Sequence, residues 1–106
     1  MFARQVTMQL KPNGQANFAR AIETDVLPLL RAQAGFKDEI TFVTPDHTKA
    51  VAISLWDEKS HAEAYDRTSY SKVLSALTAS VEGTPRVENY EVSNSTFHKL
   101  AGGLPV

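Results

Sequence analysis

The sequence contains no cysteine, and this absence removes several kinds of chemistry at once. Disulfides, thiolate nucleophiles and sulfur-ligated metal sites are all excluded. No apolar run approaches the roughly 20 residues that a membrane-spanning helix needs. The N-terminal segment lacks the charged start and uninterrupted apolar stretch of a signal peptide. We therefore expect a cytoplasmic protein that makes no contact with a membrane.

An excess of charge of either sign is also missing. Eleven Lys and Arg residues face 12 Asp and Glu residues, which gives a formal net charge of −1 at pH 7. The basic residues are scattered, whereas a nucleic-acid surface needs them clustered to release counterions. No GxSxG motif and no glycine-rich phosphate loop occurs. We expect no nucleic-acid partner, and nothing in the sequence marks a catalytic nucleophile.

The three histidines give no metal-binding pattern. A metal site needs ligands that converge at helical or hairpin spacing. His47 falls in a predicted turn, and Asp57, four residues before His61, is better used as a helix N-cap. His98 follows the last predicted strand and is the only histidine suited to acid–base work in a pocket. We predict neither a metal nor another cofactor.

Hydrophobic periodicity predicts a β-α-β-β-α-β order for a single domain over residues 1–100, followed by a loose tail over 101–106. This order is typical of the ferredoxin-like α+β fold, a four-stranded antiparallel sheet with helices on one face. The helical signals are a stripe from Phe18 through about Gln33, interrupted at Pro28, and two segments after Trp56. The predicted strands are Phe2–Leu10, Phe36–Thr44, Ala50–Trp56 and Arg86–Phe97.

The third predicted strand carries apolar residues on both faces. One set must pack under the helices, and the set that remains would still expose a tryptophan and two alanines. An apolar sheet face on the order of several hundred Å² normally marks an interface. We therefore expect a two-fold homodimer whose sheet faces pack together. The two alternating sets are Val51, Ile53 and Leu55, and Ala50, Ala52, Ser54 and Trp56.

The chain resembles the antibiotic biosynthesis monooxygenase family, within the dimeric α/β-barrel superfamily, over nearly its whole length. The resemblance implies a barrel formed by the two sheets of a dimer, with a pocket between the sheet and the helices of each protomer. Some members oxidise anthrones or quinols with O2 and no metal or flavin, and others bind and degrade haem. The resemblance rests on four segments in order: LKPNG, VLPLLRAQAGF, SLWDEKSHAEAY and TPRVENYEVSNSTF.

The family's functional residues are only partly present. Trp56 corresponds to the tryptophan that ends the third strand and lines the pocket in the anthrone-oxidising members. The asparagine that those enzymes place four residues earlier is Ala52 here, and their tyrosine six residues later is Ala62. The haem-degrading branch needs an asparagine in the first strand, a helical tryptophan and a histidine in the next helix. This chain has none of them and carries Tyr65 near the helical position, which argues against haem.

Four residues are candidates for a ligand pocket. Trp56 offers a π face for a planar ligand, or it fills the dimer interface or the gap between helices and sheet. Tyr65 offers a phenol donor, or it packs its ring and sends its hydroxyl to water. Arg4 lies on the apolar phase of its strand, where it would pair with an acidic or phenolate ligand or with a glutamate, unless it reaches solvent. Phe42 is either core or pocket wall.

Two functions follow from these residues, and the sequence does not choose between them. The first is a cofactor-independent, monooxygenase-like protein that acts on a small aromatic compound of the quinol, anthrone or phenol type. The second is a non-catalytic dimer that binds a small apolar metabolite or serves a regulatory role. The family resemblance favours the first function, whereas Ala52 and Ala62 favour the second.

Overall fold

The computed structural model describes residues 1–97, which form a four-stranded antiparallel sheet with helices on one face. The strand order is β2-β3-β1-β4, which confirms the predicted ferredoxin-like α+β fold. His98 and the predicted loose tail lie outside the described residues. The elements are β1 (Phe2–Leu10), α1 (Gln15–Ala21), a π-helical turn (Ile22–Val26), α2 (Leu27–Arg31), β2 (Phe36–Val43), β3 (Lys49–Trp56), α3 (Lys59–Thr68), α4 (Tyr70–Leu77) and β4 (Val81–Glu91).

The first helical segment keeps one apolar stripe along its length with the help of the π-helical turn. Phe18, Ile22, Val26 and Leu30 are all buried and lie four residues apart. In a regular α-helix a four-residue step overshoots a full turn by about 40°, so the stripe would drift around the helix. A π-helical turn is wider and offsets part of this drift. It ends just before Pro28, at the interruption that the sequence predicts.

One face of β3 packs against the helices, and the other forms part of the outer face of the sheet. Ala50, Ser54 and Trp56 are buried beneath the helices, and Trp56 is 0% exposed. The expectation that the bare face would display the tryptophan and the alanines is therefore wrong. Small residues in mid-strand leave room for large helix side chains such as Phe18 and Leu77, and the tryptophan fills the end of the layer.

A bulge in β2 changes which of its residues face the helices. Phe36 pairs with Trp56, but the next registered pair joins Asp38 to Leu55, so the register shifts between positions 36 and 38. A one-residue shift moves the side chains that follow to the opposite face. Phe42 therefore lies on the outer face of the sheet and is 52% exposed, so it is not part of the core.

The last strand begins five residues earlier than predicted and ends earlier as well. The sequence predicts it at Arg86–Phe97, with Gly83 and Pro85 ending the preceding helix, whereas β4 runs from Val81 to Glu91. As an edge strand of the sheet, β4 accommodates a proline that has no N–H to donate. Gly83 has φ +65°, and the pairing with β1 shifts register in this region. Irregular pairing allows the strand to pass through turn-forming residues.

The predicted N-cap of α3 is also wrong. The helix begins at Lys59, and its cap position, Glu58, makes no side-chain capping hydrogen bond. The Asp57 carboxylate instead accepts a hydrogen bond from Nδ1 of His61 at 2.7 Å, and this bond lowers the pKa of Asp57. Gly35 lies against this pair, and its carbonyl accepts a hydrogen bond from the Asp57 N–H at 2.9 Å.

Replacing Gly35 by alanine is expected to destabilise the fold by about 3 kcal/mol, because two costs add. Its φ of +78° is strained for any residue with a Cβ, and that Cβ would collide with the side chains of Asp57 and His61. Gly83→Ala is the matched control, since Gly83 has φ +65° but an added Cβ there would meet no atom within 4 Å. It should cost only about 1 kcal/mol. Urea denaturation measures the stability of both variants. Equal losses of unfolding free energy would show that the collision with Asp57 and His61 adds no cost.

Candidate functional site

A small cavity lies between the sheet and the helices, on the covered face. Most of its lining is apolar, and five polar or ionisable side chains reach it from β1, β2, β3, α3 and α4: Arg4, Glu39, Ser54, Tyr65 and Tyr70. About 40 Å³ of it is open to the centre of a water-sized sphere, which is room for a few water molecules. The apolar lining comes from Val6, Met8, Ile22, Val26, Leu30, Ala52, Val73, Leu77 and Pro85.

Arg4 is the charged centre of this cavity. Its side chain is only 3% exposed, and its guanidinium forms an ion pair with Asp66 of α3, whose side chain is 56% exposed. The guanidinium carbon lies 4.0 Å from the centre of the Tyr70 ring and 5.3 Å from that of Tyr65. These contacts satisfy the need of a buried cation for a partner through one carboxylate and two aromatic faces.

Tyr70 brings an unsatisfied hydroxyl to the site. The oxygen is buried and has no hydrogen-bond partner among residues 1–97. Burial raises the pKa of Tyr70, whereas the charge of Arg4 and the approach of its guanidinium to the hydroxyl oxygen, which falls short of hydrogen-bond geometry, lower it. A buried hydroxyl without a partner costs free energy, so such groups in native proteins usually meet a water or a ligand. Tyr70 is therefore placed to donate a hydrogen bond to a molecule in the cavity.

Glu39 brings a half-buried carboxylate. It lies on β2 after the bulge, which turns its side chain towards the helices, and the Thr41 hydroxyl donates to its two oxygens at 2.7 and 3.0 Å. Burial raises the pKa of Glu39, although the hydrogen bond from Thr41 partly counteracts it. A carboxyl group of this kind exchanges a proton closer to neutral pH than an exposed one does.

Trp56 supports the cavity from behind without lining it. Its Nε1–H donates to the Ser54 hydroxyl at 2.9 Å, and its ring centre lies 5.1 Å from that of Tyr65 and 5.6 Å from that of Phe36. Tyr65 is 4% exposed, and burial raises its pKa to about 12. Trp56 therefore fixes two residues of the wall, Ser54 and Tyr65, as a buried support.

Three of the four candidates from the sequence meet at this place, and the fourth does not. Arg4, Tyr65 and Trp56 form one connected cluster. Phe42 lies on the other side of the sheet, in an outer groove with Ile40, Ile53 and Leu55. Sequence reasoning missed Glu39, Asp66 and Tyr70 as members of the site. The spacing from Tyr65 to Tyr70 crosses from one helix into the next, so no single helical period indicates that they share a wall.

A polar surface cleft adjoins the cavity, and Arg4 belongs to both. The cleft is lined by side chains of β1, α3 and β4, among them Phe2, Lys59, Asp66 and Asn89. Since Arg4 is the one residue within 1–97 that lines both spaces, its side chain stands between them. The ion pair with Asp66 holds it in that position.

No metal centre or membrane helix accompanies the site within residues 1–97. No group of three or more histidine, aspartate or glutamate side chains is placed to hold a metal ion there. Asp57 and His61 form only a pair. In the same part of the chain, every helix is too short or too polar to cross a bilayer.

Similar solved structures agree with this architecture. A monooxygenase encoded by ActVA-Orf6 of Streptomyces coelicolor, in complex with nanaomycin D, superposes with a TM-score of 0.76, 16% identity and 92% coverage of each chain. SnoaB, a cofactor-independent oxygenase from Streptomyces nogalater, gives 0.72 and 14%, covering 90% of this chain and 95% of its own. A protein from Nitrosomonas europaea, named as an antibiotic biosynthesis monooxygenase, gives 0.71 and 16%, covering 87% and 98%.

The chain has the antibiotic biosynthesis monooxygenase fold. This confirms the resemblance drawn from the sequence motifs, over about nine-tenths of the chain. No family model matches the sequence, and no curated protein matches it. Similar structures also include a protein of unknown function from Nitrosomonas europaea, so the antibiotic biosynthesis monooxygenase fold alone does not assign a reaction.

Proposed function

We propose that this protein is a cofactor-independent, monooxygenase-like protein that acts on a small aromatic compound of the quinol, anthrone or phenol type. The observation that carries the proposal is the cavity itself. A largely apolar space receives a buried cation, a phenol hydroxyl that has no hydrogen-bond partner within residues 1–97 and a half-buried carboxylate, from Arg4, Tyr70 and Glu39. The description of SnoaB as a cofactor-independent oxygenase supports the same function for this fold.

In the proposed chemistry the protein has two roles: it stabilises an anion of the substrate, and it excludes water from that anion. In an anthrone, the activated methylene loses a proton and the resulting carbanion adds to O2. The proton returns to the peroxide that forms, and loss of water leaves a carbonyl. Arg4 and Tyr70 stabilise the developing negative charge on the substrate oxygen, where a low dielectric makes their effect large. The aliphatic lining excludes water from the reactive anion.

The cavity must widen to admit a ring, because about 40 Å³ is less than a ring needs. An apolar cavity of about 150 Å³ is known to take up benzene. Arg4 stands between the cavity and the surface cleft, and Asp66, which holds it, is more than half exposed. We propose that the Arg4 side chain moves when a ligand enters.

Oxygen consumption with hydroquinones, naphthalene diols and anthrones tests the proposal. The Tyr70→Phe variant should lower the turnover rate by about 10- to 100-fold, because it removes a donor aimed at the developing charge while keeping the ring. Tyr90→Phe is the control: Tyr90 is 47% exposed on the outer face, away from the cavity, and its hydroxyl donates to Glu88 at 3.1 Å.

The two tyrosine variants separate the possible outcomes. Loss of turnover in Tyr70→Phe with wild-type turnover in Tyr90→Phe supports a site at the cavity. Equal turnover in all three proteins places any reaction elsewhere. No oxygen uptake with any compound rules out the oxygenase for these substrate classes.

The second candidate function is a non-catalytic binding protein for a small apolar metabolite, and two observations favour it. Ala52 lines the cavity and the buried Ala62 lines the adjoining cleft, so two positions that are polar in the anthrone-oxidising relatives offer no polar side-chain atoms here. The cavity as it stands is also small. Quenching of the single Trp56 by an aromatic ligand, without oxygen uptake, would identify this function.

Both functions are proposed for a homodimer formed through the outer faces of the sheets. The half of that face over β2 and β3 is apolar, and Ile40 and Phe42 are about half exposed. The half over β1 and β4 is polar, with Gln5 opposite Glu88 and Thr7 opposite Arg86. A face with an apolar half and a polar rim is suited to a specific, two-fold interface with a second copy.

A further inference from the structure

Glu39 lies in the same row of side chains as Arg4. Glu39 pairs with Ser54 across β2 and β3, and Ser54 pairs with Arg4 across β3 and β1. Residues in one row point to one face, so all three side chains face the helices. The backbones of Glu39 and Arg4 are two strand spacings apart, about 10 Å. A small molecule between them meets a carboxylate on one side and a guanidinium on the other.

The Glu39 carboxylate is held in place but not neutralised. The Thr41 hydroxyl fixes both of its oxygens, and within residues 1–97 no cation forms an ion pair with it. Arg4, the nearest cation across the row, is paired with Asp66 instead. Because an unpaired carboxylate in an apolar lining is poorly solvated, taking up a proton is favourable for it.

The polar groups opposite Glu39 are a hydrogen-bond donor and a positive charge, which together with the carboxylate match a ligand hydroxyl group. Tyr70 contributes a donor with no partner among residues 1–97, Arg4 contributes the positive charge, and Asp66 is already paired with that charge. Tyr65 adds a phenol whose pKa, raised to about 12, keeps it protonated. The side chains that reach the cavity from the first helical segment are aliphatic and carry no charge. A ligand hydroxyl group fits this set, since it donates to a carboxylate and accepts from a phenol.

We infer that Glu39 is the proton acceptor for the hydroxyl group of a hydroxyaromatic ligand, which Arg4 and Tyr70 then hold as the phenolate. The inference rests on the proposed function and narrows its substrate class to compounds with a free ring hydroxyl. In the step, the ligand O–H bond breaks, its electron pair stays on the ligand oxygen, and a new O–H bond forms on the carboxylate. The proton passes to solvent when the ligand leaves, and no oxidant takes part.

The visible spectrum of 4-nitrophenol on the protein tests this transfer, because only the phenolate form is yellow. The measurement is made about one pH unit below the pKa of the free probe, where phenol predominates over phenolate by about tenfold. On the wild-type protein the phenolate-to-phenol ratio should rise about tenfold. On Glu39→Gln the phenolate should form at least about tenfold more slowly after rapid mixing, because the cavity has lost its proton acceptor, while Arg4 and Tyr70 still hold the phenolate once it forms.

Three controls make the outcomes decisive. Glu82→Gln changes an exposed glutamate of β4 and should behave as wild type. The methyl ether of the probe, 4-nitroanisole, has no proton to give and should bind wild type and Glu39→Gln within about twofold, as judged by Trp56 fluorescence. If Glu39→Gln does not fold, Glu39→Asp, which withdraws the carboxylate by one methylene, takes its place and should also slow the formation of the phenolate.

The results distinguish failure of this inference from failure of the proposed function. Binding of both probes with no phenolate on the wild-type protein, or with phenolate that forms as fast on Glu39→Gln, overturns Glu39 as the proton acceptor and leaves the cavity as a ligand site. Binding of neither probe overturns the cavity as an aromatic site, and the inference fails with it. Fast formation of phenolate on wild type and Glu82→Gln, with slow formation on Glu39→Gln, supports it.

Discussion

Trp56→Ala is expected to lose about 3–5 kcal/mol of unfolding free energy, a large part of the stability of a domain this size. Trp56 is 0% exposed and contacts Phe36 and Tyr65 ring to ring, so alanine leaves a void that the rigid end of the sheet cannot close. The Ser54 hydroxyl also loses the 2.9 Å hydrogen bond that it accepts from the indole N–H of Trp56. Chemical denaturation followed by far-UV circular dichroism measures the loss, since the variant has no tryptophan to report by fluorescence.

Phe42→Ala is the matched control, because it also removes a large aromatic side chain near the C-terminal end of a strand, here β2. Phe42 is 52% exposed on the outer face, so the fold of one chain should lose less than about 1.5 kcal/mol. The losses are compared over a range of protein concentrations to separate folding from association. Comparable losses for the two variants would show that Trp56 is not the buried support described above.

The contrast between Trp56 and Phe42 shows where sequence reasoning succeeds and where it stops. Alternation along β2 places Phe36, Ile40 and Phe42 on one phase, and Phe36 does pack against Trp56. The bulge between positions 36 and 38 reverses the phase, so the later residues face outward. A single extra residue in a strand has no signature in the hydrophobic pattern, which explains why the strand is predictable and the face of Phe42 is not.

The element order is predictable because it depends on local signals, whereas the site depends on contacts across the sheet. The anomaly of Arg4 on an apolar phase is visible in β1 alone, and the structure gives it a partner 62 residues away in Asp66. Glu39 resembles an ordinary solvent-facing residue of a strand until the bulge turns it inward. Tyr70 falls on an apolar stripe in the sequence, and only the packed structure shows that its hydroxyl lacks a partner within residues 1–97.

The start of β4 is also difficult to predict, because it depends on a contact that is distant in sequence. Gly83 and Pro85 are strong turn signals in sequence, and local rules favour a break there. The structure overrides them because Val81 pairs with Leu10, and the Ser80 carbonyl accepts from the Lys11 N–H at 2.9 Å. Because of this pairing with β1, β4 begins at Val81, soon after the end of α4. Long-range pairing of this kind is set by the partner strand, which no local window contains.

Ile53→Glu is expected to abolish dimer formation at micromolar concentration, with a rise of at least about 100-fold in the dissociation constant. Ile53 lies in the middle of the outer face, opposite Ile40 on one neighbouring strand and Gln5 on the other. In a two-fold interface through this face, each dimer would bury two added carboxylates. The fold of one chain should remain, since the side chain points away from the helices and towards solvent. Sedimentation equilibrium measures the change.

Ser71→Glu provides the control, because it adds the same charge at an exposed position of α4, on the covered side of the sheet. It should leave association unchanged, so a loss confined to Ile53→Glu assigns the interface to the outer face and not to general repulsion between chains. Wild-type protein that sediments as a single chain at every concentration would remove the dimer from both proposed functions. The cavity would still stand, because every residue that lines it belongs to one chain. The proposed assembly and the proposed ligand binding can therefore be tested separately, and the two variants test the first without changing a residue that lines the cavity.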